Sequence, residues 1–98
     1  MAITRINEFR ARDGQTVALR DFLRSVVPDI EAADGCRSVR LLEATGDDSA
    51  LFVIIEEWDS IEAHRASADV IPQAQLDAAL ALLEEPPGGN YFEDASGP

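Results

Sequence analysis

The chain contains no lysine: its eight basic residues are all arginine, set against nineteen acidic ones for a formal charge of −11 over 98 residues. Such a surface would repel a phosphate backbone and gain nothing at an anionic bilayer, so neither nucleic acid nor membrane lipid is an expected partner. The charge reads as a solvated surface, and a lysine-free acidic surface also fits a protein built for high salt. Cysteine is as scarce: Cys36 stands alone, so no internal disulfide can form. With a single histidine as well, no Cys/His cluster has metal-ligand spacing. The longest stretch without a charged or polar break is residues 50–55, far short of the ~20 residues of a membrane helix. No basic segment followed by an apolar one marks a secretory leader, and a reducing, cytoplasmic setting is expected.

What is present is enough for a fold. Apolar residues make up 46% of the chain, with ordinary glycine and proline, which is not a disordered composition. The length permits one domain, residues 1–98, with 94–98 read as a loose tail. A chain this short buries only roughly 60–65% of its unfolded surface, so a partner subunit is expected.

Residues 2–11 alternate as a strand and close on the turn pair Asp13-Gly14. From Gln15 the period changes: Leu19, Phe22, Leu23, Val26 and Ile30 recur at helical steps, with Asp13 as N-cap. Pro28 should kink or restart the last turns, and Asp34-Gly35 should end them. Residues 36–44 read as a second strand, 46–49 as a turn and 51–58 as a third strand. The run Leu51-Phe52-Val53-Ile54-Ile55 is apolar on both faces, which places it centrally in a sheet covered on two sides. Asp59 or Ser60 caps a short helix carrying Ile61, Ala63 and His64. Residues 75–84 form another, with Leu76, Leu80 and Leu83 on one side. Pro86-Pro87-Gly88-Gly89 stops it, and residues 90–94 make a last strand. The order β-α-β-β-α-β is that of an α+β, ferredoxin-like split βαβ domain with an antiparallel sheet. Its helices cover one sheet face, and the cover available for the other is a second copy of the chain, hence a homodimer through sheet faces.

Four segments in register resemble the antibiotic biosynthesis monooxygenase (ABM) domains of the dimeric α+β barrel superfamily, over about residues 3–93. They are the first strand with Asn7 seven residues before Gly14, the Asp34-Gly35-Cys36 lead into the second strand, the block Glu56-Glu57-Trp58-Asp59-Ser60-Ile61-Glu62-Ala63, and the Pro86-Pro87 to Tyr91-Phe92 close. The block is similar to the family's E-x-W-x-S-x-E-A pattern. The resemblance implies a dimeric barrel with a small apolar cavity in each subunit. It also implies cofactor-independent oxygenation of electron-rich aromatics such as anthrones and quinols. The chemistry asks little of the protein, since a substrate carbanion can pass an electron to O2 directly once it is desolvated and deprotonated.

Asn7 shares strand parity with Ile3, Phe9 and Ala11. Its amide is either bonded to neighbouring backbone or, as the resemblance implies, steadies a substrate oxyanion. Trp58, the lone tryptophan, is by spacing a core residue; the resemblance makes it a cavity wall that stacks on a planar ligand. These two are the candidate catalytic residues. Glu56, Tyr91 and His64 are candidate substrate contacts. Glu56 shares parity with Trp58 and, if buried, would have a raised pKa and could act as base; pairing with Arg40 or Arg5 is the plainer reading. Tyr91 either bonds substrate or caps the core. In related sequences the helix histidine stands nine residues after the tryptophan, a position held here by Ser67. His64 comes six after Trp58, so it is read as a partly buried structural histidine, and the haem-degrading chemistry of some relatives loses its iron ligand. Cys36 reads as a small buried hydrophobe. The pairs Asp47-Asp48 and Glu84-Glu85 read as solvated surface. No metal or cofactor is expected. The preferred function is a cofactor-independent monooxygenase acting with O2 on a small aromatic, anthrone or quinol-like substrate. The alternative is a non-catalytic dimeric ligand-binding or interaction module, and an isomerase or degradative enzyme is a third.

Overall fold

Strand parity and helical periodicity place most of the hydrophobic residues on one side of a four-stranded sheet. The computed structural model describes residues 2–48 and 50–97. Ser49 of the expected turn, Pro98 of the expected tail and the Asp48 side chain lie outside the described residues. The elements are β1 (Ile3–Arg10), α1 (Thr16–Glu31), β2 (Cys36–Glu43), β3 (Leu51–Trp58), α2 (Ile61–Ala66), α3 (Gln73–Leu80) and β4 (Gly88–Phe92). Every strand pairing is antiparallel and the sheet order is β2-β3-β1-β4. This is the ferredoxin-like α+β arrangement, with β3 in the interior, as its apolar run requires.

Side chains alternate across a strand, and on β3 Phe52, Ile54, Glu56 and Trp58 all turn to the helix side, where they are buried. Opposite them on β1 stand Phe9, Asn7, Arg5 and Ile3. From α1, Leu19, Leu23 and Val26 are buried. Leu19 and Leu23 form one core cluster with Ala11, Phe52, Ile54 and Leu83. A two-pronged Arg20–Glu43 ion pair at 2.6–2.8 Å ties α1 to β2 at the surface. The opposite sheet face carries the cross-strand pairs Ile6–Ile55 and Leu42–Val53, with Phe92 opposite Thr4.

Several local expectations change. Asp13 does not cap α1; Gln15 occupies the N-cap without a side-chain bond. Gly14 (φ 80°) makes the turn, leaving Asp13 three residues short of the first helical position. Pro28 neither restarts nor ends α1, which continues to Glu31. The last helix spans 73–80 rather than 75–84: it begins after Pro72, and the chain leaves it so that Leu83 bridges Ala11 and the Glu84 amide bonds the Arg10 carbonyl. Leu83 is therefore core through a strand bridge, while Leu80 is exposed. Gly88 and Gly89 are not a stop signal but the first residues of β4, paired with Glu8 and Asn7. Cys36 is only half-buried, its thiol 3.7 Å from the Ser38 carbonyl oxygen.

Candidate functional site

Between the helix side of the sheet and α1, α2 and α3 lies a cavity of about 580 Å3. Its walls are Phe9, Phe22 and Ile54 from the core side, Val26 and Ile30 from α1, and Val70, Ile71 and Leu76 from the segment carrying α2 and α3. Its polar lining comprises Asn7, Glu56, His64, Arg65, Ser67 and Gln73, and Asn7, Glu56 and His64 meet at one wall with Trp58. Small-molecule sites have this character, mostly apolar with a few placed polar groups.

Glu56 is the centre of that wall. It is 4% exposed and, among the described residues, the one buried polar or charged residue. Both carboxyl oxygens are engaged: Trp58 Nε1 donates to Oε1 at 2.8 Å, and Asn7 Nδ2 donates to Oε2 at 3.1 Å. The amide oxygen of Asn7 in turn accepts from Arg5 Nε at 3.0 Å. Burial pushes the Glu56 carboxyl above the usual carboxylate range, against the downward pull of the Trp58 N–H, the Arg5 charge and the Asn7 amide. Desolvation is the larger effect, so the group is a stronger base than a surface carboxylate.

His64 extends the network from α2, whose first turn is fixed by Ser60: its hydroxyl accepts from the Ala63 amide at 3.1 Å. The imidazole Nε2 is 4.0 Å from Glu56 Oε1, and Nδ1 is 2.7 Å from the Tyr91 hydroxyl. Burial first, then Arg5 and Arg65, hold its pKa below the ordinary value, so the ring is neutral near pH 7 and the approach to Glu56 is not an ion pair. The ring meets Trp58 and Tyr91 edge-on, each centroid 5.3 Å away. Arg5 lies over the Tyr91 ring at 4.6 Å.

The five residues singled out from the sequence thus share one contact network. Their partners are not all those expected: Glu56 bonds Asn7 and Trp58, while Arg40, opposite Ile55, stands on the other sheet face. Asn7 bonds side chains rather than neighbouring backbone. Trp58 is both 1% exposed and a cavity wall. Tyr91 does not line the cavity and reaches it through His64. Ser67 lines the cavity, but its hydroxyl donates to the His64 carbonyl at 2.5 Å. Arg5 and Gly89 also belong to the site, although neither stands out in the sequence as a site residue. A Cβ built at Gly89 would run into the Arg5 guanidinium and Asn7 Oδ1, so glycine is what lets that pair lie against β4. The parity shared by Arg5 and Asn7 was the available signal for the first; Gly89 had none until its strand pairing was known. Among the described residues, no group of three or more His, Cys, Asp or Glu could hold a metal ion. No helix there is long and apolar enough to cross a membrane.

Fold and site together define a ferredoxin-like α+β domain with an apolar cavity of small-molecule size, closed at one wall by a buried carboxyl. The chain belongs to the antibiotic biosynthesis monooxygenase family, whose model matches residues 2–70. No curated protein matches it in sequence. Among solved structures it is similar to Rv0793 from Mycobacterium tuberculosis, at 26% identity and a TM-score of 0.80 over 99% of this chain and 98% of that one. It is also similar to NE2512, a protein of unknown function from Nitrosomonas europaea, at 24% identity and a TM-score of 0.82 over 99% and 92%. A variant of SnoaB, a cofactor-independent oxygenase from Streptomyces nogalater, shares the fold at 17% identity, with a TM-score of 0.80 over 98% and 95%.

Proposed function

We propose that the protein is a cofactor-independent monooxygenase that oxidises a small aromatic, anthrone or quinol-like substrate with O2 and works as a homodimer. The observation that carries this reading is the Glu56 carboxyl, buried at the wall of an apolar cavity and raised in pKa by that burial. In an anthrone-like substrate Glu56 takes a proton from the ring methylene, leaving the electron pair on carbon. The carbanion transfers one electron to O2, and the radicals combine into a carbon-bound peroxide that takes the proton back from Glu56. Removal of the second methylene proton expels hydroxide, which leaves as water, and a carbonyl remains. The net change is CH2 plus O2 to C=O plus H2O. Asn7 holds one carboxyl oxygen and has a second amide hydrogen for the substrate oxyanion. Trp58 holds the other oxygen and supplies a flat wall for the rings, and Arg5 adds positive charge near the developing anion. Family membership supports the reaction class, as does a fold shared with a structure described as a cofactor-independent oxygenase.

The homodimer is proposed through the open sheet face. Leu42 and Phe92 are exposed there, beside Ile6, Val53 and Ile55, an apolar centre suited to a self-complementary interface. The single free thiol suits a reducing cytoplasm.

Oxygen uptake with 1,8-dihydroxy-9-anthrone and methylhydroquinone tests the reaction. Wild type is expected to exceed the protein-free rate, and Glu56→Gln to lose about 10²–10⁴-fold. A second reading, a non-catalytic dimeric module that binds a small ligand, draws on one observation: among the described residues every buried side-chain polar atom already has a partner. Wild-type uptake no faster than the protein-free control, with saturable ligand binding, would decide for it.

A further inference from the structure

The contacts around Glu56 do not stop at the cavity wall. From Oε1 they run 4.0 Å to His64 Nε2, and from His64 Nδ1 a further 2.7 Å to the Tyr91 hydroxyl. Accessibility rises along the way: the Glu56 side chain is 5% exposed and that of His64 23%. Tyr91, at the far end, does not line the cavity and is partly exposed, so the line leads outward. The oxygenation chemistry above makes no use of His64, yet its ring is fixed in orientation between Trp58 and Tyr91, at interplanar angles of 74° and 79°.

A hydroxyl both donates and accepts, so Tyr91 satisfies Nδ1 in either neutral tautomer of the imidazole. With Nδ1 accepting, Nε2 carries a hydrogen toward Glu56. With Nδ1 donating, Nε2 is free to receive a proton held on Glu56. The groups facing this pair are Arg5 from β1, Arg65 from α2 and the Cys36 thiol from β2. The two guanidiniums disfavour a lasting imidazolium, so a proton received at Nε2 is passed on instead of stored.

We propose that Glu56, His64 and Tyr91 form a proton path out of the cavity, in which His64 carries a substrate-derived proton between the Glu56 carboxyl and solvent. The inference rests on the reading of Glu56 as the base. When the substrate C–H bond breaks, its electron pair stays on carbon and its proton binds Glu56. Without oxygen no peroxide reclaims that proton: the Glu56 O–H bond breaks as an N–H bond forms at Nε2, and Nδ1 gives its proton to the Tyr91 oxygen while the hydroxyl proton passes to water. No electrons are transferred. One bridging water spans the 4.0 Å step. It follows that a substrate held without oxygen trades its carbon-bound hydrogen for solvent hydrogen, with His64 setting the rate.

Anaerobic incubation with anthrone in D2O, followed by proton NMR of the methylene signal, tests this on wild type, Glu56→Gln, His64→Ala and Tyr91→Phe, with and without added imidazole. Wild type is expected to wash the signal out faster than buffer, and Glu56→Gln to match buffer. His64→Ala should lose about tenfold or more and regain rate with imidazole, which a merely structural histidine would not do. Tyr91→Phe keeps the ring contact with His64 and should slow exchange several-fold; Trp58 emission checks that each variant is folded. Exchange at the wild-type rate in both His64→Ala and Tyr91→Phe overturns the path, as does a loss that imidazole leaves unrepaired, or wild-type exchange no faster than buffer. Oxygen uptake on the same samples separates the two ideas. His64-dependent exchange without uptake keeps the path and removes the monooxygenase; uptake with His64-independent exchange does the reverse.

Discussion

Glu56 is held in an environment that penalises its charge, which ties its protonation to folding. Because its pKa in the folded chain is raised, its contribution to stability is fully present below the ordinary carboxylate value, about 4.3, and is lost as pH rises through the raised value. Glu56→Gln carries no such titration. The melting temperature of wild type minus that of Glu56→Gln is therefore expected to fall as pH rises through that window, while oxygenation, which needs the ionised base, rises across it. Paired thermal scans and a pH–rate profile check both signs. Trp58→Phe removes the donor to Oε1 and leaves a buried oxygen short of a partner, expected to cost roughly 1–3 kcal/mol in denaturant titrations. It should also move the rising limb of the pH–rate profile to higher pH, since the Trp58 bond pulls that pKa down. At this scale the sequence shows which residues can share a face: the parity of Asn7, Glu56 and Trp58 is plain in it. It does not show that Asn7 and Glu56 bond each other, because they lie 49 positions apart and meet only through the β1–β3 register.

Among the elements, β4 backs the polar wall of the cavity and α2 contributes His64 to it. In β4, Gly89→Ala should push Arg5 and Asn7 away from each other, whereas Gly88→Ala meets open space. The expected result is a lower kcat for Gly89→Ala with an unchanged circular dichroism spectrum, and wild-type behaviour for Gly88→Ala. In α2, Ser60→Ala removes the N-cap and should cost about 1 kcal/mol, read in denaturant titrations. Gly35 supports the same helix from below. It takes φ 85°, and a Cβ there would sit 2.7 Å from the Ala63 Cβ, so Gly35→Ala is expected to be the more damaging change. Element identity was legible wherever periodicity was long, as in α1 and β3. It failed at Pro86-Pro87-Gly88-Gly89, where local turn chemistry reads as a stop. Pairing of Gly88 and Gly89 with β1 overrides that preference, and no local signal carries a tertiary pairing.

For the whole molecule, the open sheet face is where the proposed dimer is tested. The proposed interface must be apolar at its centre, since each chain brings a charge of −11. Placing a carboxylate there, as in Ile55→Asp, should turn the dimer into a monomer in sedimentation experiments and lower the melting temperature with it. The same change in a protein that is monomeric throughout would leave sedimentation untouched and sink the interface. The two-faced character of β3 makes its interior place in the sheet legible from sequence, and the structure has β3 between β2 and β1; what covers the open face is the proposed part.

Helices α2 and α3 have six and eight residues, well under the ~12–15 at which an isolated helix begins to hold in water. They persist by leaning on their surroundings, and one of those surroundings is the cavity that Leu76 and Val70 border. Ligand capture and local folding of residues 61–80 are then one equilibrium seen from two sides. Amide hydrogens in this stretch should exchange soonest in the free protein and slow most when the cavity is filled. The affinity measured for any ligand would include the free energy of ordering its own enclosure.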